Sequence, residues 1–164
     1  MTDETPLCRQ RAYLYVARDI ELAGAVPDEH EQILMDFDPA EVTRLTGLDP
    51  TAAVRRGEPG RRGPRRFSTW KLELPEQDTF YTEDVVLPLL DLVEPHADRL
   101  QATREQLGLS AGIMVVIHMR GVRDPDGGLV VSTAAVGYSQ ATVRRLTALD
   151  LSIDHDQYVS LPDD

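Results

Sequence analysis

Residues 47–74 read GLDPTAAVRRGEPGRRGPRRFSTWKLEL, a helix stop, a weak strand, a loop and a convincing strand in immediate succession. Gly47 ends the amphipathic segment before it, because glycine takes the left-handed conformation of a helix C-terminus without steric cost. Pro50 keeps the helix from resuming. Thr51–Arg55 is a short strand at best. Phe67–Leu74 then alternates: Phe67, Thr69, Lys71 and Glu73 fall on one face, Ser68, Trp70, Leu72 and Leu74 on the other. The Trp70 face is the expected core face. Two strands joined by a loop rich in arginine, glycine and proline make a sheet the framework into which the other segments must fit.

Working outward, residues 1–10 read as a disordered tail and Ala12–Ile20 as a strand, Tyr13, Tyr15 and Ala17 alternating with Leu14, Val16 and Arg18. Residues 21–36 sustain no period and read as a loop with room for one short helical turn. Asp38 fits an N-cap, with Pro39 at the first helical position and Glu41 placed for a capping box, over a helix to Thr46 that turns Val42 and Leu45 inward. Residues 75–81 form a connector. From Thr82, the residues Val86, Leu89, Leu90, Val93, Ala97, Leu100 and Leu107 draw one helical stripe, and Pro88 with Pro95 implies a kink or two consecutive helices. Gly108 closes that region. Ala111–Arg120 (AGIMVVIHMR) is the most apolar strand and is expected at the centre of the sheet. GVRDPDGG is a hairpin-like turn returning along Leu129–Thr133. Ser139 caps a helix to Leu149 that buries Val143 and Leu146, and Leu151–Tyr158 is the last strand.

The 164 residues suit one domain, read here as 11–158 with tails at 1–10 and 159–164. No apolar run approaches the roughly 20 residues that span a bilayer, so no membrane association is expected. MTDETPLCRQ lacks the basic start and apolar stretch of a signal peptide, Cys8 is the single cysteine, and the chain has no asparagine. A cytoplasmic location is the expectation. The net charge is −11, unevenly spread. Residues 55–71 carry seven cations against Glu58 alone, a local +6, which leaves −17 for the remainder. Such a body disfavours nucleic acid as a partner while permitting a local anion site.

Residues 37–49 (FDPAEVTRLTGLD) and 138–150 (YSQATVRRLTALD) coincide at seven of thirteen positions. Each copy follows a strong strand and precedes a weaker one. Two readings stay open: duplication of a strand–helix–strand unit, or shared composition. The fold class expected is α+β, a mixed or antiparallel sheet of about six strands with helices mainly on one face.

With YLYVARDI, DPAEVTRLTGLDPT, RRGEP, FSTWKLEL, LVEPHADRL and LTALDLSIDHD in this order, the chain resembles the bacterial domain of unknown function 4279 family over about residues 11–157. The resemblance implies a compact α+β domain, supplies no activity and carries over no catalytic residue. Residues 21–36 form a longer insertion than the family pattern has.

Four groups of residues could carry function. Arg55, Arg56, Arg61, Arg62, Arg65 and Arg66 could pair bidentately with phosphate or carboxylate; the loop has no G-x-x-x-x-G-K-[ST] and does not open a helix, which excludes a nucleotide-binding P-loop. The alternative is a solvated loop whose arginines pair with acids of the same chain. His118, His155, Asp154 and Asp156 are weak candidates for a metal, with His118 placed near His155; no H-x-x-x-H or H-E-x-x-H spacing supports them. Cys8, in the expected tail, lacks the organised surroundings of a reactive thiol, and Ser68 lacks a nucleophile elbow. Trp70 could stack a ring beside the basic loop, although its alternation with Leu72 and Leu74 places it in the core.

The expectation is a non-enzymatic binding module that needs no cofactor and engages an acidic protein partner or small anionic ligand through residues 55–66. A small-molecule or metal-dependent enzyme with a pocket near His118 and His155 is the alternative. An immunity-type or regulatory protein is a third reading, and a homodimer is allowed.

Overall fold

The computed structural model describes residues 7–161. In chain order the elements are β1 (Leu7–Ala17), α1 (Glu29–Leu34), α2 (Pro39–Thr46), β2 (Ala52–Val54), β3 (Thr69–Glu73), β4 (Gln77–Asp78), α3 (Glu83–Val93), α4 (Ala97–Leu107), β5 (Ser110–Arg120), β6 (Val122–Arg123), β7 (Leu129–Val130), α5 (Gln140–Ala148) and β8 (Ser152–Ser160). Six strands form one mixed sheet in the order β2-β3-β1-β5-β8, with β4 also on β1, and β6 with β7 makes a separate two-stranded ribbon. The fold is α+β in a single domain.

β1 and β5 pair antiparallel along all of β1, from Leu7 opposite Arg120 to Ala17 opposite Ser110. β8 joins β5 in parallel, an arrangement that requires the long crossover through the ribbon and α5. β3 and β4 line the same edge of β1, Tyr13 opposite Glu73 and Arg9 opposite Asp78. Between them the register slips by one residue around Pro75, which has no N–H to give a ladder.

The period of two divides the sheet into a covered and an open face. On the covered face Ala12, Leu14 and Val16 of β1, Trp70 and Leu72 of β3, and Ile113, Val115 and Ile117 of β5 share one core with Val86, Leu89, Leu90 and Val93 of α3. Leu100 of α4 and Leu146 of α5 extend it. Burial of such side chains contributes about 1.5–3 kcal/mol each. The long stripe expected from Thr82 is therefore real and is broken as its prolines imply: α3 ends at Val93, a single 3-10 turn follows over Glu94–His96, and α4 runs to Gly108, whose φ of 62° closes it.

Helix starts and stops follow local chemistry. Asp38 caps α2 by accepting from Ala40 N–H at 2.9 Å, and Gly47 ends it at φ 71°. Glu41 pairs with Arg44 instead of closing a capping box. The reciprocal box occurs at α1, the short turn allowed within 21–36, where Asp28 and Glu31 each accept the other's N–H at 2.8 Å.

Three readings are corrected. Leu7–Gln10, assigned to a tail, are the first residues of β1, with Cys8 and Gln10 fully inside. A glutamine on the inward face conceals the alternation; its amide N–H donates to Thr79 C=O at 3.0 Å, while its Oε1 has no partner among the described residues. β8 likewise continues to Ser160. Val143 is 48% exposed, and Thr142 faces inward in its place. There Glu83 of α3 accepts from Ser139 N–H at 2.9 Å and from the Thr142 hydroxyl, so the contact with α3 sets the rotation of α5. The echo between 37–49 and 138–150 does not extend to packing, since Val42 is buried and the aligned Val143 is not. Moreover β2 is separated from β1 by β3, whereas β8 lies directly on β5.

Candidate functional site

The arginine loop is a hairpin that prolongs β2 and β3. Gly57 N–H donates to Arg65 C=O and Arg65 N–H to Glu58 C=O, both at 2.8 Å. Further out Gly60 and Gly63 exchange N–H bonds at 3.1 and 3.3 Å, which sets Arg61 and Arg62 at the tip. Gly63 has φ 114°, a conformation open essentially to glycine alone. At the base, Arg56 N–H donates to Ser68 Oγ at 3.0 Å and Ser68 donates to Asp36 at 2.5 Å, tying the hairpin to the segment before α2. Glu58, the one acid of the segment, accepts from Arg55 N–H at 3.0 Å.

Most arginines of the body are engaged with the chain's own acceptors, the exposed Arg144 being an exception among the described residues. Arg9 pairs with Asp78, Arg11 with Glu73, Arg104 with Asp150, and Arg145 with both Asp91 and Glu94 at 2.6 Å. Arg18 and Arg99 donate to backbone carbonyls. In the hairpin, Arg55 reaches Asp38 at 3.5 Å. Arg61, Arg62, Arg65 and Arg66 are exposed, and none has a carboxylate within 4.0 Å among the described residues. Arg66 instead lies 5.9 Å over the Phe67 ring. Arg56 is half-buried, and its Nε has no acceptor among the described residues. The sequence places Arg55 and Arg56 as the best-ordered anion contacts; the structure gives Arg55 an internal acid and leaves the four outer guanidinium groups without one.

These residues line an open depression of about 550 Å³ that runs from Gly60 to Phe67 and ends at Thr69. Thr69 also lines a second depression of about 420 Å³ on the open sheet face, floored by Tyr13, Tyr15, Lys71 and Met114. Lys71 Nζ sits 4.9 Å over the Tyr13 ring. Tyr15 donates to Asp154 at 2.9 Å; burial first, and then that carboxylate, hold its phenol above the ordinary value. Tyr13 and Tyr15 join the site only through the pairing of β1 with β3, a long-range register invisible in the isolated stretch.

Trp70 is 1% exposed and donates its indole N–H to Thr43 Oγ1 at 3.0 Å, so its ring is packed inside and is not a stacking platform. The proposed neighbourhood of His118 and His155 does not form. In the β5–β8 register His155 opposes Val115 and His118 opposes Tyr158, and the odd spacing sends the two imidazoles to opposite faces of the sheet. His118 stacks on Tyr158, centroids 5.0 Å apart at 15°. His155 shares a 2.6 Å hydrogen bond with the Tyr138 hydroxyl, and burial pushes it below the usual histidine value despite Asp154. Asp154 and Asp156 accept from Tyr15 and Tyr158. Among the described residues no group of three or more His, Cys, Asp or Glu side chains is placed to hold a metal ion. Cys8 is buried, which raises its thiol above the usual value and away from the reactive thiolate.

The fold and site define a small α+β domain that carries a cationic hairpin beside an open sheet face. A family profile described as Domain of unknown function (DUF4279) matches residues 27–160, most of the chain, and the protein belongs to that family. The match begins after β1, so YLYVARDI lies outside it. No curated protein and no solved structure matches the chain. No helix among the described residues is long and apolar enough to cross a membrane.

Proposed function

We propose that this domain is a binding module whose hairpin holds an anionic group, the carboxylates of an acidic protein partner or a small anionic ligand. The observation that carries the reading is a contrast within one chain. A protein of net charge −11 has 28 acidic side chains available to its 17 basic ones. Arg61, Arg62, Arg65 and Arg66 nevertheless have no carboxylate in reach among the described residues, while Arg9, Arg11, Arg104 and Arg145 of the body each have one. Exposed guanidinium forks that are not internally paired retain their capacity for bidentate bonds to carboxylate or phosphate. The reciprocal glycine bonds reduce the ordering entropy that binding would otherwise cost. The second depression, which shares Thr69 with the first and holds Lys71 and the two tyrosines, gives a bound anion an aromatic neighbour.

The test is calorimetric titration of the protein with a poly-glutamate peptide and, separately, with pyrophosphate. Replacement of Arg61, Arg62, Arg65 and Arg66 by Ser is expected to weaken whichever probe binds by at least about tenfold, since charge-assisted bonds are the strong ones. Affinity should also fall with salt, because the site is exposed. Equal binding by both proteins, or binding of neither probe to the unaltered chain, contradicts the reading.

A further inference from the structure

β8 stands at one end of the sheet, and its outer edge has no partner strand among the described residues. It is nine residues long, against three for β2 at the opposite edge. On the inner side Ser160 C=O accepts from Gly121 N–H at 2.9 Å. Successive residues of a strand direct their backbone groups to opposite edges. Ile153, His155, Gln157 and Val159 therefore turn N–H and C=O outward, away from β5. Edges of this length are commonly shortened, covered or charged against pairing. β8 carries Asp154 and Asp156, but Val159 near its end and Leu161 just beyond it are apolar and 53% and 57% exposed.

We propose that β8 pairs antiparallel with β8 of a second copy, about a twofold axis normal to the sheet and centred on Gln157. Such an axis keeps like faces together, so a residue can oppose only residues of its own face. Centred on Gln157, the register sets Asp156 opposite Tyr158 of the second copy and Asp154 opposite Ser160. On the covered face His155 opposes Val159, and Ile153 opposes Leu161. Gln157 then exchanges both backbone bonds with its own counterpart. All nine positions from Ile153 to Leu161 are used, each acid meets a hydroxyl, and the exposed apolar end is covered. A centre at Asp156 places that acid against itself, and a centre at His155 sets Asp154 against Asp156; like charges directly opposite destabilise a pair. A centre at Tyr158 leaves Ile153 and Asp154 without described partners. The two acids thus act as register selectors rather than as a general guard against pairing. Two copies of a −11 chain repel at long range, so added salt should tighten this dimer, the opposite of its effect on anion binding at the hairpin.

Sedimentation equilibrium of the full chain over a range of concentration and salt tests the proposal. The expected result is a monomer–dimer equilibrium that strengthens with salt. Gln157→Pro should weaken the dimer at least about tenfold while the monomer stays folded, because the N–H it removes points to solvent in the monomer. Tyr158→Lys, placed against Asp156 of the second copy, should tighten the dimer, and Tyr158→Glu should loosen it. A chain that remains monomeric at all concentrations overturns the proposal. So does a folded Gln157→Pro variant that dimerises unchanged, or a pair of Tyr158 variants that shift the equilibrium in the same direction. The Tyr158 pair decides the matter if the proline variant fails to fold.

Discussion

Gly112, at the centre of the open face, is where one added methyl group should be most informative. A Cβ built there would lie 2.6 Å from the Tyr15 hydroxyl oxygen and 2.7 Å from its Cζ, and would also meet Ser152 Oγ. Real Cβ atoms do not approach so closely, and the Tyr15 ring cannot simply swing aside, because its hydroxyl is held by Asp154 at 2.9 Å. Gly112→Ala should therefore cost about 1–3 kcal/mol, the usual range for forcing a methyl group into filled space. In a background of Tyr15→Ala the obstruction is gone and Ser152 can change rotamer. There the same substitution should be stabilising, by up to about 1 kcal/mol, since alanine loses less backbone entropy than glycine in a strand. The coupling between the two sites should be about 2 kcal/mol. Urea unfolding of the four proteins, followed by fluorescence of the buried Trp70, measures it. A Gly112→Ala cost that is absent, or that is the same with and without the Tyr15 ring, refutes the reasoning.

Trp70→Phe and Thr43→Val should each lose the indole bond to Thr43, worth about 1 kcal/mol, and a double-mutant cycle should show that the two losses overlap. Gly47→Ala should cost more than Gly108→Ala in thermal unfolding: both sites have positive φ, but a Cβ at Gly47 also meets the Arg99 guanidinium that bonds Leu45 and Arg44 carbonyls, whereas one at Gly108 meets nothing. The Glu83 carboxyl is held below its ordinary value, first by the Thr142 hydroxyl and then by Ser139. Its folded value lies below its unfolded one, so its stabilisation is complete above about pH 4.3 and is lost as the pH falls through the lower, folded value. The stability difference between the unaltered chain and Glu83→Gln should accordingly shrink in denaturation series taken from pH 6 down to pH 3.

Local signals were legible in the sequence wherever a few neighbouring residues determine the outcome. The Asp38 and Ser139 caps, the Gly47 and Gly108 stops and the helix break near Pro95 each depend on one turn of chain. Trp70 and Leu72 were legible as core because alternation survives in β3. Where a polar side chain is bonded from far along the chain, the pattern misled. Gln10 is inward because Thr79 accepts from it, and α5 is rotated by a carboxylate 56 residues before Ser139, so neither is readable from its own segment. The site behaved in the same way. A cluster of arginines was plain, but the lack of acidic partners for the outer four and the nearness of Tyr13 and Tyr15 across Thr69 come from register and packing. The paired histidines failed because adjacency of strands says nothing of the face until the register is known.

The most direct test of the hairpin as an anion site is an NMR titration that follows the arginine Nε–Hε signals while a poly-glutamate peptide or pyrophosphate is added. Saturable shifts concentrated on Arg61, Arg62, Arg65 and Arg66, with Arg9, Arg11 and Arg145 unmoved because their carboxylates already occupy them, are the expected result. Shifts spread evenly over all the arginines, or none at the hairpin, would contradict it.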